Sequence, residues 1–249
     1  MDVLNIFFLL FAGLIAGFVN TVAGGGSLLT LPLLIFMGLP PSVANGTNRV
    51  AIFMQNIFAT AGFKSKGVFV FPYSLWLGLS ATLGAYFGSK MAIDISGDVF
   101  KKILSVIMIL VLITIIFKPK LSEEDKKREL SLKEEILGSF LFFFVGIYGG
   151  FIQAGVGFIM LAVLSRVQDF SLAKANSIKV FVVLIYTMMA LIIFASAGKI
   201  NWILGGVLGI GNAAGGWMAG RWSADRPDKT IKIILSVVVC IMAIRLWFF

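Results

Sequence analysis

Apolar runs of roughly membrane-spanning length fill almost the whole chain. There are eight of them, at residues 3–22, 50–63, 68–92, 103–117, 136–152, 180–197, 200–219 and 231–249. A straight helical span takes ~20 apolar residues. Only 13% of the 249 residues are charged, whereas a soluble domain carries ~25%. The chain is therefore predicted to be an all-α polytopic membrane protein.

Two shorter apolar runs interrupt this series. Residues 27–37 follow three glycines and contain Pro32, and residues 156–167 follow Gly155. Each run is too short for a straight span, and glycine separates it from the preceding run. We expect both to be short broken or re-entrant helices, so that the first two segments of each half form an interrupted pair.

The two halves of the chain repeat one another. Residues 13–20 match residues 146–153 at a spacing of 133, and eight residues between 78 and 106 recur at a constant spacing of 131. Each half holds five hydrophobic segments, and an odd number places the two copies in opposite orientations. The sequence thus predicts two inverted five-segment repeats, at 1–117 and 136–249, joined by a charged linker at 118–135.

Basic residues predict the orientation in the membrane. With the linker in the cytoplasm and the sides alternating, 15 of the 21 Lys and Arg residues fall inside, as the positive-inside rule requires. We expect both termini outside a plasma or inner membrane. The net charge of +9 then reflects topology and contact with lipid rather than nucleic acid.

The composition excludes most catalytic and metal chemistry. The chain has no His, and Cys240 is its one cysteine, which rules out a Ser-His triad, imidazole metal sites and iron–sulfur clusters. No acid lies in the middle of an apolar run. An intramembrane enzyme would need Lys as the base for Ser27 or Ser177. We therefore predict no enzyme activity, no catalytic residue, no metal and no cofactor.

Donor-rich residues cluster beside the broken helices and at the starts of the segments that follow. Glycines before a short helix allow an anion to approach backbone N–H groups at its positive end, and nearby amides, hydroxyls and bases add donors and charge. If the halves meet at the midplane, both clusters face one cavity. The predicted substrate-binding residues are Asn20, Thr21, Gly24, Gly25, Gly26, Ser27, Thr47, Asn48 and Arg49 in the first half, and Gln153, Gly155, Gly157, Asn176, Ser177 and Lys179 in the second.

Other roles are open for several of these residues. Arg49 and Lys179 could equally anchor the protein at lipid headgroups. Asn20 and Gln153 could simply bond across helices. Glycine pairs four residues apart elsewhere in the chain are typical of close helix packing.

The glycine-rich stretch at 13–26, Pro32, the run at 44–48 and the stretch at 209–217 resemble the TauE/SafE family of sulfite exporters. The resemblance covers essentially the whole chain. It implies a transporter of a small sulfur-containing or organic anion such as sulfite or sulfoacetate. A secondary transporter, most simply an exporter, is the predicted function, and an anion channel built from the same amides is the alternative. Residues 155–157 carry two glycines where the first half has three, so the expected site is asymmetric. The range of substrates in the family leaves the substrate of this chain open.

Overall fold

The computed structural model describes residues 3–116, 131–166 and 170–222, and these form helices without a strand. In chain order the helices are α1 (Val3–Ala23), α2 (Ser27–Phe36), α3 (Pro41–Ser65), α4 (Tyr73–Asp94), α5 (Gly97–Ile116), α6 (Leu132–Phe151), α7 (Val156–Arg166), α8 (Leu172–Ser196) and α9 (Trp202–Trp222). By length and composition, α1, α6 and α8 can cross a bilayer. The predicted tenth segment and most of the charged linker lie outside the described residues.

Short helices follow a break in each half, as the sequence predicts. Helix α2 has 10 residues and α7 has 11. The break before each contains a glycine in the left-handed region, with φ of 87° at Gly24 and 74° at Gly155, where other residues are strained. Apolar side chains of the short helices are buried, including Leu31 of α2 and Leu161 of α7.

Several helices begin before their apolar runs. Helix α3 starts at Pro41 rather than at residue 50, and α8 starts at Leu172 rather than at residue 180. The extra turns are polar yet buried, so a search for apolar runs misses them. Helix α6 starts at Leu132, where Ser131 and Glu134 form a capping box, so the last four residues of the predicted linker are helical.

The most extensive helix–helix contacts are between helices of different halves. Helix α4 packs on α6 and α8, α9 packs on α1 and α3, and α3 packs on α8. Glycines allow close backbone approach in these seams: a Cβ on Gly84 would collide with the carbonyl of Phe143, and one on Gly215 with that of Leu14. Packing of this kind matches the small-residue seams of membrane helices.

Contacts along these pairs fix the helix directions. Gly84 and Gly88 of α4 lie against Phe143 and Ile147 of α6, so these two helices are parallel. The same comparison makes α9 parallel to both α1 and α3, and the contacts near the start and middle of α8 make it parallel to α4.

Helices α3 and α8 run in opposite directions. Gly46 near the start of α3 lies against Lys199 beyond the end of α8, whereas Phe63 at the end of α3 shares a cluster with Val180 near the start of α8. Helices α1, α3 and α9 therefore point one way, and α4, α6 and α8 point the other way.

Candidate functional site

The two helix breaks meet at Gly24 and Gly157. A Cβ on Gly24 would lie 2.5 Å from Gly157 Cα, so the backbones touch where neither residue has a side chain. The Gly24 N–H donates to Asn20 O at 2.8 Å, and the Gly26 N–H donates to Asn20 Oδ1 at 3.3 Å. These glycines thus pack the breaks together, and two of the N–H groups expected to face a ligand have partners within the chain.

Arg49 reaches from α3 to the C-terminal end of α6 in the other half. Its side chain is fully buried. Nη1 donates to Gly149 O and Gln153 Oε1, both at 2.5 Å, and Nη2 donates to Gly150 O at 2.9 Å and Asn45 Oδ1 at 3.2 Å. The last carbonyls of a helix lack intrahelical partners and carry the negative end of its dipole. Arg49 therefore caps α6.

Lys179 makes the reciprocal contact from α8 to the end of α1. Its Nζ donates to Asn20 O at 3.0 Å, Thr21 O at 2.8 Å and Asn176 Oδ1 at 2.6 Å. Asn176 Nδ2 donates in turn to Val22 O at 3.1 Å. We call the two arrangements, Arg49 on α6 and Lys179 on α1, the crossed basic caps. Because both side chains are buried in the protein, neither anchors at a headgroup.

Two further sets of hydrogen bonds cross between helices, one between α1 and α3 and one at the second break. Asn20 Nδ2 donates to Gln55 Oε1 at 2.9 Å, and Gln55 Nε2 donates to Thr21 Oγ1 at 3.1 Å. Gln153, whose φ of 63° is unusual for a residue other than glycine, also accepts from Tyr186 Oη at 2.9 Å. Asn20 and Gln153 thus do bond across helices, which was one of the two roles open for them.

Two buried donors beside the first break have no hydrogen-bond partner. These are Ser27 Oγ and Asn48 Nδ2, whose residues are 2% and 0% exposed. Thr30 Oγ1 donates to Asn48 Oδ1 at 2.7 Å, and Ser27 lies one turn before Thr30, on the same side of α2. Arg49 Nε, on the residue after Asn48, is likewise buried without a partner.

The matching groups of the second half are occupied. Ser177 Oγ donates to Val68 O at 2.6 Å, and Asn176 uses both ends of its amide in the cap on α1. The residue 131 positions after Ser27 is Phe158, which has no donor on its side chain. Around the two breaks, the unpartnered donors therefore lie on the side of the first half, near the start of α2.

The remaining predicted residues lie around this centre. Thr47 Oγ1 accepts from the Asn201 N–H at 2.9 Å, at the junction of α8 and α9, so it is not grouped with the break. Gly25 and Gly155 lie within the two breaks, where their carbonyls accept from Leu28 and Phe158.

The region also contains three hydrogen-bonding residues that were not predicted from the sequence: Thr30, Gln55 and Tyr186. Gln55 could have been identified from the sequence, because it lies seven residues, about two turns, beyond Asn48 on α3. This spacing places both residues on the same face of the helix. Thr30 lies three residues after Ser27 in the same way. Nothing in the sequence distinguishes Tyr186 from other aromatic residues of the apolar runs.

The chain is similar in sequence to a known family and to several membrane transporter proteins. Residues 9–246 match the family described as sulfite exporter TauE/SafE. The chain is 28% identical over 239 residues to the probable membrane transporter protein ORF9 of a Sinorhizobium species, covering 96% of this chain and 91% of the relative. It is 27% identical to a probable membrane transporter protein of Haemophilus influenzae, over 99% and 95% of the two chains, and 28% identical to the probable membrane transporter protein YfcA of Escherichia coli, over 96% and 88%.

No solved structure matches the chain. The family match nevertheless extends over nearly the full length, and the relatives are covered almost end to end. The chain therefore belongs to the sulfite exporter TauE/SafE family of membrane transporters.

Proposed function

We propose that this chain is a secondary transporter that exports a small sulfur-containing or organic anion, such as sulfite or sulfoacetate, across the plasma or inner membrane. The anion binds at the N-terminus of α2, against Ser27 Oγ and Asn48 Nδ2. The observation that carries the proposal is that both donors are buried and unpartnered. A buried donor left unsatisfied costs ~1–3 kcal/mol, and an oxyanion removes that cost.

Charge at this position favours an anion. The N-terminus of α2 is the positive end of its dipole, and Arg49 follows Asn48 directly in α3. All four acceptors of Arg49 are neutral carbonyl or amide oxygens, so its full positive charge is only partly offset by the helix end. An anion beside it lowers the cost of keeping that charge in a low-dielectric interior.

The arrangement of the halves supports alternating access. We propose that the halves are inverted repeats that rock against each other around the contact of Gly24 with Gly157. In support, α1, α3 and α4 each point opposite to their counterparts α6, α8 and α9, and the seams join one half to the other. The site at α2 then opens to either side in turn.

Transport needs an energy source compatible with these side chains. Among the described residues, the acids lie only at 94, 98, 134 and 135, near helix ends, and the chain has no His. The driving force is therefore the anion's own gradient, the membrane potential, or a proton carried on the substrate. The potential supplies ~2.3 kcal/mol per charge per 100 mV, which in a negative-inside cell favours export.

Two substitutions test the anion site. Ser27→Ala and Asn48→Leu each remove one of the unpartnered donors and keep the helix ends intact. We expect each to weaken sulfite binding ~10-fold or more, because a hydrogen bond to a charged group contributes ~1.5–3 kcal/mol. Binding is measured by thermal shift of the purified protein against sulfite, sulfate, thiosulfate and sulfoacetate. Ser105→Ala is the matched control, since Ser105 is also buried but bonds within α5 to Lys101 O.

Counterflow in proteoliposomes separates a carrier from a channel. A secondary transporter exchanges labelled sulfite for unlabelled sulfite and saturates, whereas a channel shows neither property. Wild-type affinity in both Ser27→Ala and Asn48→Leu would contradict the location of the site. Absence of binding and counterflow with every anion in the panel would contradict the proposed function itself.

A further inference from the structure

A line of residues spaced by seven runs along the buried face of α3. Arg49 and Phe63 mark its two ends, and each contacts α8: the Arg49 guanidinium lies 5.7 Å from the Phe194 ring centre, and Phe63 clusters with Val180. Asn56 lies midway, seven residues from both. Residues seven apart share a helix face, because 3.6 residues complete a turn. Asn56 therefore faces α8 as well.

Thr187 occupies the matching position on α8. It lies seven residues from Val180 and seven from Phe194, the two residues of α8 that contact this face of α3. Since the helices are antiparallel, the midpoints of the two lines lie at the same level. Asn56 and Thr187 thus face each other at the α3–α8 crossing, 1% and 0% exposed.

Oxygen atoms at this crossing have no partner. They are Asn56 Oδ1, Thr187 Oγ1 and Thr60 Oγ1, the last being one turn beyond Asn56 on α3. Asn56 Nδ2 donates to Ile52 O at 2.7 Å. A carbonyl can only accept, so this contact fixes the amide with its oxygen turned away from Ile52. We call Asn56, Thr60 and Thr187 the crossing site.

The charge and polarity of the crossing site restrict its ligand. A metal cation is disfavoured, because Arg49 lies on the same face two turns away, about 10 Å along the helix. A fully ionised oxyanion is disfavoured too, since Asn56 Oδ1 offers only lone pairs. A singly protonated oxyanion fits both facts: its O–H donates to Asn56 Oδ1, its other oxygens accept from the two threonine hydroxyls, and its charge is attracted by Arg49.

We propose that the crossing site binds the transported anion in its singly protonated form, which for sulfite is hydrogen sulfite. The proposal rests on the function proposed above and adds a second position on the path, beyond the one at α2. A proton then crosses the membrane on the substrate, so no titratable side chain is needed to carry it. This suits a chain without His and with its described acids near helix ends.

The test measures sulfite flux in proteoliposomes at a clamped potential over a series of pH values. Wild-type flux should follow the concentration of hydrogen sulfite as the pH falls. Thr187→Val, which keeps the shape of the side chain, and Asn56→Leu should each lower that flux ~10-fold and flatten its pH dependence, because each removes a hydrogen bond to a charged ligand. Thr82→Val is the matched control, since Thr82 bonds only to Gly78 O of its own helix.

The outcomes separate the two proposals. Both variants should still bind sulfite at alkaline pH, where it is a dianion, in the thermal-shift assay, which also shows that they are folded. Wild-type flux with an unchanged pH profile in both variants would overturn the crossing site, whose oxygens would then hold only water. Absence of flux and binding in the wild type would instead overturn the function on which this proposal rests.

Discussion

At the scale of single residues, Arg49 and Lys179 each have one observed role and one predicted role. Each is a donor in a crossed basic cap, and each was predicted to bind substrate. The two roles are compatible for Arg49, because its planar fork directs Nη1 and Nη2 to α6 while Nε is unpartnered. The sequence could predict that these bases matter, but not that they bind the helix ends of the opposite half.

Replacing Arg49 should destabilise the protein as well as slow transport. Arg49→Ala removes four hydrogen bonds and leaves two buried acceptors, Gly149 O and Asn45 Oδ1, without a side-chain donor, so we expect a loss of ~3 kcal/mol. Arg49→Lys should lie between wild type and Arg49→Ala, because a point charge satisfies fewer of the forked acceptors. Thermal unfolding of the detergent-purified proteins measures the effect. An Arg49→Ala protein as stable as the wild type would show that the cap contributes nothing.

Which donors are available to a ligand could not be predicted from the sequence. Thr47 and Asn48 are neighbours of similar chemistry, yet Thr47 bonds to Asn201 and Asn48 keeps a donor unpartnered. The difference depends on contacts with residues far along the chain. Ligand binding by the individual residues stays a prediction.

Apolar runs in the sequence predict helices only where lipid or an apolar core surrounds the helix. It places α1 and α2 to within one residue at either end. It misses the first turns of α3 and α8 because their polar side chains bond inside the protein, as Asn45 does to Phe151 O. The capping box at Ser131 and Glu134 was visible in the sequence as a Ser-x-x-Glu pattern, and would have moved the start of α6.

Some helix glycines lie against the backbone of a neighbouring helix, and others have open space where a Cβ would be. Gly84 and Gly215 occupy corresponding positions of the two halves, and a Cβ on either would overlap a carbonyl of the facing helix. We expect Gly84→Val and Gly215→Val each to abolish the folded protein, because backbone atoms cannot yield. Gly206→Ala is the contrast: nothing lies within 4 Å of its Cβ position, so it should gain ~0.4–1 kcal/mol.

Size-exclusion chromatography of the purified variants measures the folded fraction. Equal monodisperse yields from Gly84→Val, Gly215→Val and Gly206→Ala would mean that the seams can spread, and that close helix approach is not required.

At the scale of the whole molecule, the two halves that the sequence predicts to be copies pack against each other along several helices. The spacings of 131 and 133 predict which helices are equivalent, and the main seams link α1, α3 and α4 to helices of the other half. The sequence could not predict this exchange, because similarity between copies says nothing about which surfaces meet. The division at 118–135, the outside termini and the cytoplasmic linker stay predictions.

Cysteine labelling tests the orientation of the halves. In a Cys240→Ser background, cysteines at Lys66 and Lys133 should react only with reagent applied from the cytoplasm, and one at Lys199 only from outside. Lys66 and Lys199 follow α3 and α8, which are antiparallel, so their opposite labelling is the decisive comparison. Labelling of the cysteines at Lys66 and Lys199 from the same side would rule out inverted repeats.

The crossed basic caps have a consequence for biosynthesis. When the first half leaves the ribosome, Lys179 has not yet been translated. The C-terminal carbonyls of α1 therefore lack the hydrogen bonds that the Lys179 ammonium group donates in the folded protein. That end is completed only when α8 inserts, about 160 residues after Asn20. Arg49 is translated before α6, so its guanidinium group likewise lacks its acceptors until α6 has inserted. Neither half can mature alone, and a chain truncated after the central linker would expose unsatisfied helix ends to the quality-control proteases of the membrane.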